Sequence, residues 1–139
     1  MRSLVFTLLL ACGLMPQVQE DLAKEDLARL QGKWKITSEF IEGIETQPKL
    51  LKKASFTFKA DKIVKGTSKP GSIIKLDPTK KPATIDMTHA DSGFVSLGIY
   101  EIDGDMLKLC YTDFTNEPTE RPKKFEPTKT NRYVMLRRK

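Results

Sequence analysis

Leu97-Gly98-Ile99-Tyr100-Glu101-Ile102-Asp103-Gly104-Asp105-Met106-Leu107-Lys108-Leu109-Cys110-Tyr111 contains two apolar-rich runs that meet at an Asp-Gly turn. Asp103-Gly104 is the pair a type I′ hairpin turn favours, because both of its central residues need positive φ. The stretch therefore predicts a long strand from Phe94 to Ile102 folding back beside a second from Met106 to Thr112. Upstream, the same signature recurs between turn residues. Ala83–Thr88 follows the loop Asp77-Pro78-Thr79-Lys80-Lys81-Pro82, Ile73–Leu76 follows Lys69-Pro70-Gly71, and Ile63-Val64 and Ser55–Lys59 flank a tight turn. Nearest the start, Trp34, Ile36, Ser38 and Phe40 alternate with Lys33, Lys35, Thr37 and Glu39, the period of a half-buried strand.

Downstream, Asp113–Asn131 carries Pro118, Pro122 and Pro127, so it reads as an excursion loop rather than a central strand. Arg132–Arg138 closes the chain as a last strand, with Val134 and Leu136 opposite Tyr133 and Met135. Glu20–Gln31 has helical spacing in Ala23, Leu27 and Leu30, acidic residues at its start and Gly32 just beyond its end. The expected fold is mainly β: an antiparallel up-and-down barrel of about eight strands with one short N-terminal helix. Closure removes exposed strand edges, and eight strands leave an interior sized for side chains or one small ligand. A two-sheet sandwich is the structural alternative.

At 139 residues the chain has the length of one domain, and its 39% hydrophobic and 30% charged residues are ordinary globular values. One His and two Cys supply neither a zinc ligand set nor a disulfide framework, so no metal and no cofactor are expected. The first residues form a leader: Met1-Arg2-Ser3, then an apolar run from Leu4 to Met15. About twelve residues at a helical rise of 1.5 Å span about 18 Å, short of a bilayer's hydrocarbon core of about 30 Å. We read residues 1–19 as a signal peptide and 20–139 as a single exported domain, periplasmic or extracellular. Two processing routes fit: a cut near Ala11 and Gly13, or a lipobox at Leu9-Leu10-Ala11-Cys12 that would make Cys12 a lipidated first residue. Loss of Arg2 with the leader leaves 23 basic against 18 acidic residues, or +5, and Cys110 as the one internal cysteine.

Leu76-Asp77-Pro78-Thr79-Lys80-Lys81-Pro82-Ala83-Thr84-Ile85-Asp86, Leu97–Tyr111 and Leu30-Gln31-Gly32-Lys33-Trp34 resemble a family of small exported domains of unknown function from planctomycete-type bacteria. That resemblance implies no activity. Gly32-Lys33-Trp34 after a short helix also resembles the first motif of lipocalins. The lipocalin resemblance implies a Trp at the closed end of the barrel, covered by a basic residue from the last strand. Arg137 is the nearest match for that residue and Arg138 the second.

Trp34, Phe56, Phe58, Tyr100 and Arg137 are the candidate ligand residues, with Phe40 as a further aromatic wall of a cup for a small apolar molecule. Plain core packing is the competing account of the same side chains. Asp86, His89 and Cys110 are the candidate set for a hydrolase, the rival reading; a single His on a turn favours a solvated role, and Cys110 a buried one. Lys49, Lys52, Lys53, Lys59, Lys62, Lys65, Lys69, Lys75, Lys80 and Lys81 make the middle third cationic. Few aromatics interleave with them, which argues against nucleic acid and leaves a solvated face or an anionic envelope component. The expectation is a monomeric, non-enzymatic exported barrel that holds a small apolar ligand or acts as an envelope interaction module, touching membrane only through a lipid on Cys12.

Overall fold

The computed structural model describes residues 17–67, 71–118 and 120–139. Helix α1 occupies residues 17–30, and nine strands follow: β1 Gly32–Ile41, β2 Ile44–Glu45, β3 Ser55–Lys59, β4 Lys62–Lys65, β5 Ser72–Asp77, β6 Ala83–His89, β7 Val95–Asp103, β8 Met106–Thr112 and β9 Asn131–Arg138. Apart from the two-residue β2, the strands pair antiparallel in meander order, and β1 pairs with β9 from Trp34↔Arg138 to Ile41↔Arg132. The sheet therefore closes as an eight-stranded up-and-down barrel, and the sandwich alternative is excluded. Its thinnest seam is β4–β5, held by the pairs Lys62↔Ile73 and Ile63↔Ser72.

The leader and Cys12 fall mostly among residues 1–16, outside the described residues. The boundary expected after residue 19 falls within α1. Ala23, Leu27 and Leu30 press α1 onto the barrel core, as their spacing predicts. On the strands, every second side chain points inward: Phe56 and Phe58 on β3, Ile85 and Met87 on β6, Leu107 and Leu109 on β8, Val134 and Leu136 on β9. Burying this many large apolar groups is what holds the closed sheet together.

Three local features depart from the sequence reading. A β-bulge at Thr37 shifts the β1–β9 register between Ile36↔Leu136 and Ser38↔Met135. The extra residue reverses the alternation, so Glu39 turns inward and Phe40, expected beside Trp34, stands on the outer wall against Tyr133. Second, the β7–β8 loop is Gly104-Asp105, with Asp103 paired to Met106 and only Gly104 at positive φ, the pattern of a II′ rather than a I′ turn. Third, the turn with two positive-φ residues is Glu42-Gly43, at φ 52° and 82°, joining β1 to β2.

Candidate functional site

Helix α1 and the C-terminus shut one end of the barrel. Trp34 is fully buried, and its indole Nε1–H donates to the Leu30 carbonyl at 2.8 Å. The Arg138 guanidinium carbon lies 4.3 Å from the indole centroid, and its terminal nitrogens donate to the carbonyls of Gln31 at 3.0 Å and Arg29 at 2.5 Å. One side chain thus stacks on the ring and satisfies carbonyls at the end of α1, which a helix C-terminus leaves without partners. Tyr100 donates its hydroxyl to Asp26 of α1 at 2.6 Å; burial, and then Asp26 itself, hold that phenol far above its usual pKa.

Trp34, Arg138 and α1 thus form a plug at this end. Trp34, Phe58 and Tyr100 belong to the packed core, and of the five candidate ligand residues Phe56 alone lines an internal cavity. Arg137 is exposed and pairs across to Lys35 and Met106 on the outer wall, so Arg138 takes the place assigned to it. Alternation gives the reason: Arg138 is in phase with the inward Val134 and Leu136, and Arg137 with the outward Met135.

The opposite end is open. A cavity of about 470 Å³ sits there, lined by Phe56, Ile63, Lys65, Gly71, Ser72, Met87, His89, Tyr111, Asp113, Phe114 and Arg132. Its volume is in the range of small-molecule sites. Glu39, turned inward by the bulge and 5% exposed, accepts from the Thr46 hydroxyl at 3.0 Å and from Lys65 Nζ at 3.4 Å. Arg132 Nε donates to Asp113 Oδ1 at 3.1 Å. Tyr111 is buried beside these groups. Burial raises its phenol to about 12; Arg132 opposes that shift, and Glu39 and Asp113 add to it. His89 accepts at Nδ1 from the Ser92 N–H at 3.3 Å, which leaves Nε2 as the protonated nitrogen, and its ring stands edge-on to Phe114.

From residue 120 on, the excursion loop runs along the outer wall. Arg121 donates to the carbonyls of Gly98 at 2.8 Å and Ile85 at 3.2 Å and pairs with Asp86 at 2.7 Å. Phe125 packs with Phe40, Met135 and Tyr133 over Ile99 and Cys110. Burial pushes the Cys110 thiol up to about 11, so it is a thiol rather than a thiolate at neutral pH. Asp86, His89 and Cys110 do not converge: Asp86 and Cys110 face outward, the first bound by Arg121, while His89 faces the cavity, and no hydrogen bond joins any two of the three.

A second concavity of the described surface, about 720 Å³, is a groove on this outer wall between residues 120–123 and the β5–β6 turn. Lys75, Lys80, Lys81 and Lys123 rim it. Asp77 beside them is held below the usual carboxylate range, first by the Thr79 hydroxyl. Loop and turn residues shape much of this groove, whereas residues of six barrel strands wall the open-end cavity, which is therefore the candidate site. Lys69 lies outside the described residues.

Glu39, Tyr111, Phe114 and Arg132 were not among the candidate site residues read from the sequence, and Lys65 entered only as part of the cationic middle third. For Arg132 a signal existed, since it is in phase with Val134 and Leu136. Glu39 gave none, because its inward turn depends on the bulge. The chain matches no family profile, no curated protein and no solved structure.

Proposed function

We propose that this protein is an exported, non-enzymatic, lipocalin-like barrel that holds one small, largely apolar molecule in its open end. On this reading it belongs with the small exported domains that its hairpin resembles. One observation carries the proposal: the barrel is sealed at one end by Trp34, Arg138 and α1 and encloses about 470 Å³ at the other, walled by Phe56, Ile63, Met87 and Phe114. A concave apolar site with few polar groups is the usual form of a ligand pocket. Lys75, Lys80, Lys81, Arg121 and Lys123 on the outer groove outnumber its carboxylates Asp77, Asp86 and Glu120, which supports a contact with an anionic envelope component alongside it.

Titration with the neutral apolar dye Nile red tests the cavity. We expect one saturable site per chain in the wild type. Ser72→Phe, which places a ring in the cavity, should abolish that site while the far-ultraviolet circular dichroism keeps its β signature. A wild type with no saturable binding, or a variant that binds as well as wild type, overturns the reading.

A further inference from the structure

The polar side chains of the open-end cavity are unequal in kind. Its charged lining is two cations, Lys65 and Arg132, against one carboxylate, Asp113. Asp113 already accepts from Arg132 Nε and is more than half exposed, so it faces water as much as the cavity. Glu39 lies behind the lining with its own two donors, Thr46 and Lys65.

What the lining keeps unspent is hydrogen-bond donors. Arg132 has five N–H groups and uses the one on Nε; among the described residues neither terminal nitrogen, nor the Tyr111 hydroxyl, has a partner. Tyr111 stays protonated at any physiological pH because burial holds its phenol high, so it remains a donor. His89 adds a protonated Nε2 at the same rim. Lys65 is paired with Glu39 and Arg132 Nε with Asp113, so charge is balanced and what the cavity offers is free donors. A neutral apolar guest would leave these donors without acceptors, which is costly; a guest with an acceptor-rich anion would satisfy them.

We propose that the cavity takes an amphiphile with a singly charged anionic head, the head held by Arg132 and Tyr111 and the tail laid against Phe56, Ile63 and Met87. This rests on the reading of the cavity as a ligand site and names the class of ligand. An Arg-to-anion contact is charge-assisted and can be bidentate, which sets it apart from a hydrogen bond to a neutral head.

Calorimetric titration of the full chain with octanoate and with octanol separates head from tail, because the two probes share one chain length. Octanoate should bind at least about tenfold more tightly than octanol, the difference a single charge-assisted contact supplies. Arg132→Met should bring octanoate down to the octanol value and leave octanol unchanged, whereas Arg137→Met on the outer wall should change neither. Tyr111→Phe removes only a hydroxyl, so it serves should Arg132→Met not fold; it should weaken octanoate severalfold and octanol not at all. Saturable binding of both probes with equal affinity overturns the anionic head and leaves the cavity reading standing. If neither probe binds, the cavity reading itself fails. Equal losses for both probes in Tyr111→Phe overturn the proposal as well.

Discussion

At the closed end the inner positions of the barrel carry Trp34, Phe58, Leu76, Leu107 and Leu136; at the open end, the same inner rows carry Glu39, Lys65, Ser72, Tyr111 and Arg132. The change runs along individual strands. On β6 the inward side chains read Ile85, Met87, His89 from the closed end to the open one, on β8 Leu107, Leu109, Tyr111, and on β9 Leu136, Val134, Arg132. One end thus maximises apolar contact and the other exchanges it for polar groups around a space. Stability and binding are divided between the two ends of a single core, and this division can be measured.

The largest expected effect lies at the plug. Trp34→Ala removes a fully buried indole and the hydrogen bond to Leu30, and should cost about 3–5 kcal/mol in urea unfolding. Phe114→Ala at the mouth removes a half-buried ring from a wall already next to a cavity and should cost less than half as much. Equal losses would erase the contrast between a packed end and an open one.

The two ends also differ under alkali. Tyr100 at the plug and Tyr111 at the mouth both have phenols raised by burial, Tyr111 to about 12 and Tyr100 further. An unfolded tyrosine ionises near pH 10, so above that pH the unfolded chain has lost protons that the native one retains, and stability must fall as pH rises. The contribution is complete below about pH 10 and declines toward the native pKa, by about 2–3 kcal/mol for Tyr111 if followed through its shift of about two units. Urea midpoints between pH 9 and 12 should flatten in both Tyr→Phe variants, and more in Tyr100→Phe. A larger flattening in Tyr111→Phe would place the more strongly shifted phenol at the mouth.

Much of this architecture is legible in the chain because alternation is local. Ile85 and Met87, or Leu107 and Leu109, announce a strand and its inner face without reference to any partner. Closure followed from the number of strands in meander order and from the exposed edges that closing the sheet removes. What could not be read was set by pairing at a distance. Nothing within Ile36-Thr37-Ser38 marks an extra residue; the bulge exists in the register against Met135 and Leu136, and with it the inward turn of Glu39. The route of residues 120–130 along the outer wall likewise depends on Arg121 finding the carbonyls of Gly98 and Ile85, far away in sequence. The candidate ligand residues fall mostly in the packed core for a simpler reason. Large aromatic side chains mark where a core is dense, and a cavity is where it is not, so Trp34, Phe58 and Tyr100 identified the sealed end.

The smallest effect sharpens the comparison most finely, because it separates two adjacent arginines. Counting in twos from Val134 and Leu136 reaches Arg138, which lies over the Trp34 ring and donates to two carbonyls at the end of α1. Arg137 points to the outer wall and is exposed. Met keeps most of the apolar stem of either residue and removes its charge and donors. Arg138→Met should therefore cost about 1–2 kcal/mol, the sum of a cation–π contact and hydrogen bonds from a charged group, while Arg137→Met should stay within about 0.5 kcal/mol of wild type. Fluorescence gives an independent reading, since the one tryptophan reports its own surroundings: its emission should shift toward the red in Arg138→Met and stay in place in Arg137→Met. Equal costs, or a shift in the second variant alone, would mean that the plug is covered by the other arginine and that the phase of β9 is reversed.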